Sequence, residues 1–170
     1  AAVGSSLPLR ARKGSVYDGG IREPTLMMWP GTIKAGTVCR EVAATIDIMP
    51  TLAKLCDGNL PTRKIDGHDI WPLMSGKKDV KSPHTEYVLM HGPGTVRSGK
   101  WKFYPWQEGT SGSRRDPVPA GREPSPLPTQ LYDTDADIGE TRNLAEEHPQ
   151  IAARLATAYE KHIANIQANK

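Results

Sequence analysis

The most regular apolar pattern lies at the end of the chain. Ile151, Leu155, Tyr159, Ile163 and Ile166 recur at spacings of four and three, which puts them on one stripe of a helix. That stripe predicts a helix starting near Pro149, with Lys161 and Lys170 toward the end where positive charge suits the dipole. A second helix is predicted after Asp47, a candidate N-cap. Pro50 falls in its first turn, where a missing N–H breaks no intrahelical bond. Leu52 and Leu55 share one face, and Asp57-Gly58 supplies the stop. Ile70–Met74 reads as a short helical turn. Strands are predicted at Glu86–His91, at Gln130–Asp133, and on either side of Ser98-Gly99, where Thr95–Arg97 and Lys100–Tyr104 form a hairpin. Thr25–Trp29 (TLMMW) is continuously apolar and closed by Pro30-Gly31, which predicts a strand buried on both faces. Asp18-Gly19-Gly20 predicts a tight turn that uses glycine's access to positive φ. Pro105–Pro128 carries repeated prolines and glycines, so it can hold neither ladder nor helix and reads as a long loop.

Composition narrows the class. The chain has 170 residues, 37% of them hydrophobic, with 16 Gly, 15 Pro and a single Phe. This fits a folded protein rich in loop, or part of a larger fold. A net charge of +3 with Lys and Arg dispersed along the chain gives little support for nucleic-acid binding, which uses a clustered basic stripe. No apolar run approaches the ~20 residues of a membrane span. No signal peptide is visible at Ala1–Arg10, and the start without Met places the true N-terminus elsewhere. Cys39 and Cys56 make no disulfide framework and no zinc spacing. They read as two unpaired, half-buried thiols.

Few residues carry chemistry on their own. Lys13, beside Gly14 and the Asp18-Gly19-Gly20 turn, can present a point charge to an anionic oxygen. Arg22 can clamp a carboxylate and hold a turn. His68, His84, His91, His148 and His162 are scattered, without ligand spacing. His91 is the best placed, at a predicted strand end before Gly92-Pro93-Gly94. From the residues alone, the chain is an α/β piece with one anion-binding turn.

KGSVYDGGIREP at Lys13–Pro24 resembles the second signature of the sulfatase family. The resemblance continues in order through TLMMWPG (Thr25–Gly31), ATIDIMPTLAKL (Ala44–Leu55), DGHDIWPLMSG (Asp66–Gly76), TVRSGKWK (Thr95–Lys102) and the Leu-Tyr-Asp, Gly-Glu, Asn-Leu-Ala and His-Pro run of Gln130–Pro149. It implies the C-terminal part of an alkaline-phosphatase-like α/β domain over residues 1–81, followed by a small α+β subdomain over 82–170, an antiparallel sheet with a terminal helix. It also implies a sulfuric ester hydrolase as the parent protein, using calcium and a formylglycine and placed outside the cell, in the periplasm or in the lysosome.

In that family the formylglycine arises from a Cys/Ser-x-Pro-x-Arg motif. Neither cysteine has this context: Arg40-Glu41-Val42 follow Cys39, and Asp57-Gly58-Asn59 follow Cys56. The calcium ligands, an Asp-Asp pair and an Asp-Asn, are expected in a missing N-terminal portion together with the nucleophile. This chain alone is therefore expected to be inactive and to hold no metal. The resemblance carries over Lys13 as a sulfate-contacting, charge-stabilising residue, with His91 and Arg97 at the substrate rim. The expected partners are a sulfate ester and the N-terminal portion, with no nucleic acid and no membrane. Two alternatives stand beside this reading. One is a phosphate or phosphonate ester hydrolase of the same superfamily. The other is a non-catalytic binding module that offers Pro105–Pro128 to a proline-recognising partner.

Overall fold

The computed structural model describes residues 5–90, 94–105 and 128–168. Within it the chain forms two compact units, one of residues 1–23 with 86–170 and one of residues 24–85.

The first unit is built on strand alternation. β1 (Tyr87–Leu89), β2 (Thr95–Ser98), β3 (Trp101–Tyr104) and β4 (Gln130–Asp133) form an antiparallel sheet in the order β1-β2-β3-β4. Ser98 pairs with Trp101 across a two-residue hairpin, with Gly99 at φ 54°. Trp101 pairs with Asp133 and Tyr104 with Gln130 in the next ladder. Successive side chains point to opposite faces. One face therefore carries Val96, Phe103 and Leu131, and the other carries Arg97, Lys102, Tyr104, Gln130 and Tyr132.

The apolar face is covered by the terminal helix. Val96, Phe103 and Leu131 pack with Ala152 and Leu155 of that helix, Pro149–Ala168, and with half-buried Ile151 and Tyr159. A buried Leu of this kind contributes roughly 1.5–3 kcal/mol. The approach to the helix is fixed by Asn143. Its Oδ1 accepts the Leu131 and Ala145 N–H groups at 2.9 and 3.0 Å, and its Nδ2 donates to the Thr129 carbonyl.

The other face of the sheet is covered by the N-terminal segment. Val16 and Tyr17 pack on Tyr104 and Tyr132. The sequence division at residue 81 groups residues 1–23 with the helical part, whereas here they lie against the sheet of the second part. Asp18–Ile21 is a single turn of helix, α1. Neither Gly19 nor Gly20 has positive φ, which corrects the reading of this step as a glycine-conformation turn. Their role is space: a Cβ on Gly19 would sit 2.4 Å from the Arg10 carbonyl oxygen, and one on Gly20 would sit 2.3 Å from that of Ser15.

The second unit is organised by Asp47. A 3₁₀ turn, Thr45–Asp47, leads into α2 (Ile48–Leu55), and α3 (Trp71–Met74) follows later. The Asp47 carboxylate makes no side-chain cap on α2, in contrast to the N-cap expected from the sequence. It accepts the Ala44 and His68 N–H groups at 2.8 and 2.9 Å and pairs with His84 Nε2 at 2.8 Å. Thr51 is buried one turn on, where its hydroxyl accepts the Ile70 N–H. Asp57, at φ 52°, and the Gly58 N–H to the Ala53 carbonyl end α2 where the sequence predicts.

Two further expectations fail in this unit, the Thr25–Trp29 strand and the half-buried cysteines. Thr25–Trp29 joins no ladder and is irregular, with Leu26 95% and Met28 88% exposed. A strand apolar on both faces needs neighbouring strands and covering layers, and the described residues provide neither. Leu52 faces solvent with Ile46 and Met49, while Pro50 and Thr51 form the buried side of α2. Cys39 and Cys56 are free and exposed rather than half-buried. No described helix is long and apolar enough to cross a membrane.

Candidate functional site

The segment on the polar sheet face forms a loop with a fastened base. At one end, Arg10 lays its guanidinium 3.8 Å over the Tyr17 ring. Its Nη1 donates to the Tyr132 hydroxyl and to the Glu140 carbonyl oxygen, both at 2.9 Å. The Gly19 N–H donates to the Arg10 carbonyl at 2.8 Å and closes the loop. Ser15 to Asp18 are buried, whereas Arg12, Lys13 and Gly14 are exposed. The Ser15 N–H to the Arg12 carbonyl makes a turn whose tip is Lys13-Gly14, with Gly14 at φ 92°. The loop thus holds the Lys13 backbone at a defined, exposed turn.

The other end of the loop is held ionically. Lys102 is 1% exposed. Its Nζ contacts Asp18 Oδ1 and lies 3.2 Å from Glu140 Oε1. Fully buried Glu140 accepts the Tyr104 hydroxyl at 2.5 Å on Oε1 and the Asp18 N–H at 2.7 Å on Oε2. Burial, reinforced by the Glu140 carboxylate, pushes the Tyr104 hydroxyl far above its ordinary range, so it remains a donor. Asp18 Oδ2 makes no hydrogen bond, but Arg22 and Arg97 each place Nη1 3.7 Å from it.

The sequence-predicted residues are distributed as follows. Lys13 stands at the loop tip. Arg97 donates Nε to the Gly99 carbonyl at 2.6 Å and turns its guanidinium toward Asp18. Arg22 meets a carboxylate, as its residue type suggested. His91 and loop residues 106–127 lie outside the described residues. Sequence reasoning missed Arg10, Lys102, Tyr132 and Glu140. The available signal was Lys102 between Trp101 and Phe103, a charge on a strand flanked by aromatics. It also missed the buried His84–Asp47 pair, whose members lie 37 residues apart. Among the described residues no group of three or more His, Cys, Asp or Glu side chains could hold a metal ion.

Residues 12–95 match the family profile described as N-sulphoglucosamine sulphohydrolase, C-terminal. The chain is 37% identical over 166 residues to arylsulfatase A of Bos taurus, covering 91% of this chain and 32% of that protein. Against arylsulfatase A of Homo sapiens it is 39% identical over 152 residues, covering 83% and 29%. The chain belongs to the sulfatase family.

It spans about a third of the length of these sulfatases. The fold agrees with solved relatives. A structure from a glycosaminoglycan-metabolism locus of Bacteroides thetaiotaomicron (BT33336S-sulf) superposes with a TM-score of 0.74 at 26% identity, over 89% of this chain and 31% of that one. The PsFucS1 sulfatase of Pseudoalteromonas sp. gives 0.74 at 18% identity, over 94% and 33%.

The sequence also holds one spelling of the family's Cys/Ser-x-Pro-x-Arg motif. Ser6-Leu7-Pro8-Leu9-Arg10 reads Ser-x-Pro-x-Arg. In the structure both ends of this segment are committed to the loop base. The Ser6 hydroxyl donates to the Gly19 carbonyl at 3.2 Å, and Arg10 holds Tyr132 and Glu140.

Proposed function

We propose that this chain is the C-terminal part of a sulfatase that hydrolyses sulfate esters, and that Lys13 contacts a sulfate oxygen of the bound ester. The observation that carries the site reading is the position of Lys13 at the exposed tip of a loop whose two ends are anchored on the sheet. A lysine whose backbone is held this way needs to order only its side chain when substrate arrives. It favours the transition state, in which negative charge builds on the sulfuryl and leaving oxygens as the S–O bond breaks. Residues 24–81 complete the larger α/β domain of the whole protein in this reading, residues 1–23 go with the sheet they pack on, and Arg97 stands toward the substrate rim beside Asp18. Calcium, which the family relationship implies, does not fit the described residues, among which no group of three or more His, Cys, Asp or Glu could hold a metal ion; in this reading calcium and the formylglycine belong to the rest of the whole protein.

The test is Lys13→Ala in the whole protein, assayed with an aryl sulfate. The expected result is a kcat loss of about a hundredfold, larger than the rise in KM. Lys13→Arg restores only part, because a planar guanidinium does not replace a compact ammonium. Exposed Lys34, which lies in the other unit, tolerates alanine. A Lys13→Ala enzyme whose kcat stays within about twofold overturns the assignment.

A further inference from the structure

Lys102 is the most completely enclosed positive charge near the loop, and nothing in the proposed reaction uses it. It sits in the middle of β3, 1% exposed, on the sheet face that the N-terminal segment covers. Enclosing an ammonium there costs desolvation, and an apolar side chain of similar volume often gives equal or better stability. What a charge supplies and an apolar contact does not is direction. Lys102 Nζ meets Asp18 Oδ1 on one side and Glu140 Oε1 on the other.

These contacts converge on the two ends of one loop. Glu140 Oε2 takes the Asp18 N–H, and the Glu140 carbonyl takes Arg10 Nη1. Asp18 is thus gripped through both backbone and side chain, and Arg10 is tied to the same residue that holds Asp18. Glu140 itself is held at φ 51°, in the left-handed region that a non-glycine residue occupies at a cost. The seven residues between these anchors carry Lys13 at their tip. The ends lie on a rigid sheet and the tip lies in solvent, so a shift of Asp18 on the sheet moves the turn that aims Lys13.

We propose that Lys102 is a positioning residue: acting through Asp18 and Glu140, it fixes the loop that presents Lys13 to the anionic group of the substrate. This inference rests on the role of Lys13 proposed above. Displacement of a catalytic charge by an ångström can cost up to about a hundredfold in rate, so loosening the loop lowers kcat while leaving ground-state binding nearly intact.

The experiment is a double-mutant cycle in the whole protein, with kcat and KM read for Lys102→Met, Lys13→Ala and the combination. Lys102→Met is expected to lower kcat about tenfold with little change in KM. In the Lys13→Ala background the same change is expected to cost less than about twofold, because there is no ammonium left to aim. General damage to the fold would instead multiply with the Lys13 loss. Removing one partner of a buried pair can prevent folding. Asp18→Asn, which keeps the shape and the backbone contact, therefore runs through the same cycle alongside thermal melts. Losses that multiply, or folded Lys102→Met and Asp18→Asn enzymes with unchanged kcat, overturn the proposal. A Lys13→Ala enzyme of normal kcat fails separately: it removes the Lys13 assignment first, and the positioning role falls with it.

Discussion

At the scale of single residues, the glycines of the Lys13–Pro24 segment show how one residue type serves different ends. Gly14 takes a positive φ at the loop tip, whereas Gly19 and Gly20 are helical and matter because backbone passes where a side chain would stand. The sequence reveals that glycine is present but not which need it meets, since both needs select the absence of a Cβ. The distinction has a consequence. Gly20→Ala places a methyl 2.3 Å from the Ser15 carbonyl oxygen and 2.8 Å from that of Arg12, neither of which is a flexible side-chain end. The expected cost is about 1–3 kcal/mol of stability, with a fall in kcat in the whole protein because the Lys13 turn moves. Gly58→Ala, whose Cβ would meet Ala53 at ordinary distances of 3.4 Å and beyond, serves as the comparison. Urea midpoints of the two variants give the answer. Equal midpoints remove the close-approach argument.

At the scale of elements, what could be read early was what local periodicity specifies. The terminal helix, the hairpin about Ser98-Gly99 and the short β4 follow from spacings of three to four and of two, which one segment carries by itself. Thr25–Trp29 differs because a doubly apolar strand is completed only by other strands. Bare in this structure, it leaves Leu26, Met28 and half of Trp29 in solvent, and Ile46 of the 3₁₀ turn with Met49 and Leu52 of α2 is also exposed. Exposed apolar side chains in this number favour association. The 170-residue chain is therefore expected to bind a hydrophobic dye and to self-associate in sizing experiments. Leu26→Ser with Met28→Ser should weaken both signals while leaving the melting temperature nearly unchanged, because neither side chain packs in a core. A monomeric chain that is silent to the dye contradicts this account.

At the scale of the whole molecule, the sheet has two working faces. One carries the core with the terminal helix, and the other carries the ionic seat for the Lys13 loop. No described residues form a metal cluster, and Ser6 gives its hydroxyl to a backbone carbonyl. The chain by itself is accordingly expected to turn over an aryl sulfate no faster than its own Lys13→Ala variant, with calcium present. Ser6 should keep its unmodified mass in the intact protein, and Ser6→Ala should perturb only stability, by about 1 kcal/mol for one hydrogen bond. Oxidised Ser6, or turnover that disappears with Ser6→Ala, reverses that view.

The amino-acid sequence alone determined the family resemblance, the terminal helix, the hairpin, the last strand and Lys13 as the residue to watch. Each is carried by a local motif or by a periodicity within one segment. Only the tertiary structure decided what holds Lys13 in place. Arg10 meets Tyr132 and Glu140 across 122 and 130 residues, and Lys102 meets Asp18 across 84. No spacing rule links such positions. Their pairing depends on which side chains the strand alternation turns to the same face, and on the N-terminal segment lying across that face so that each buried charge finds its opposite.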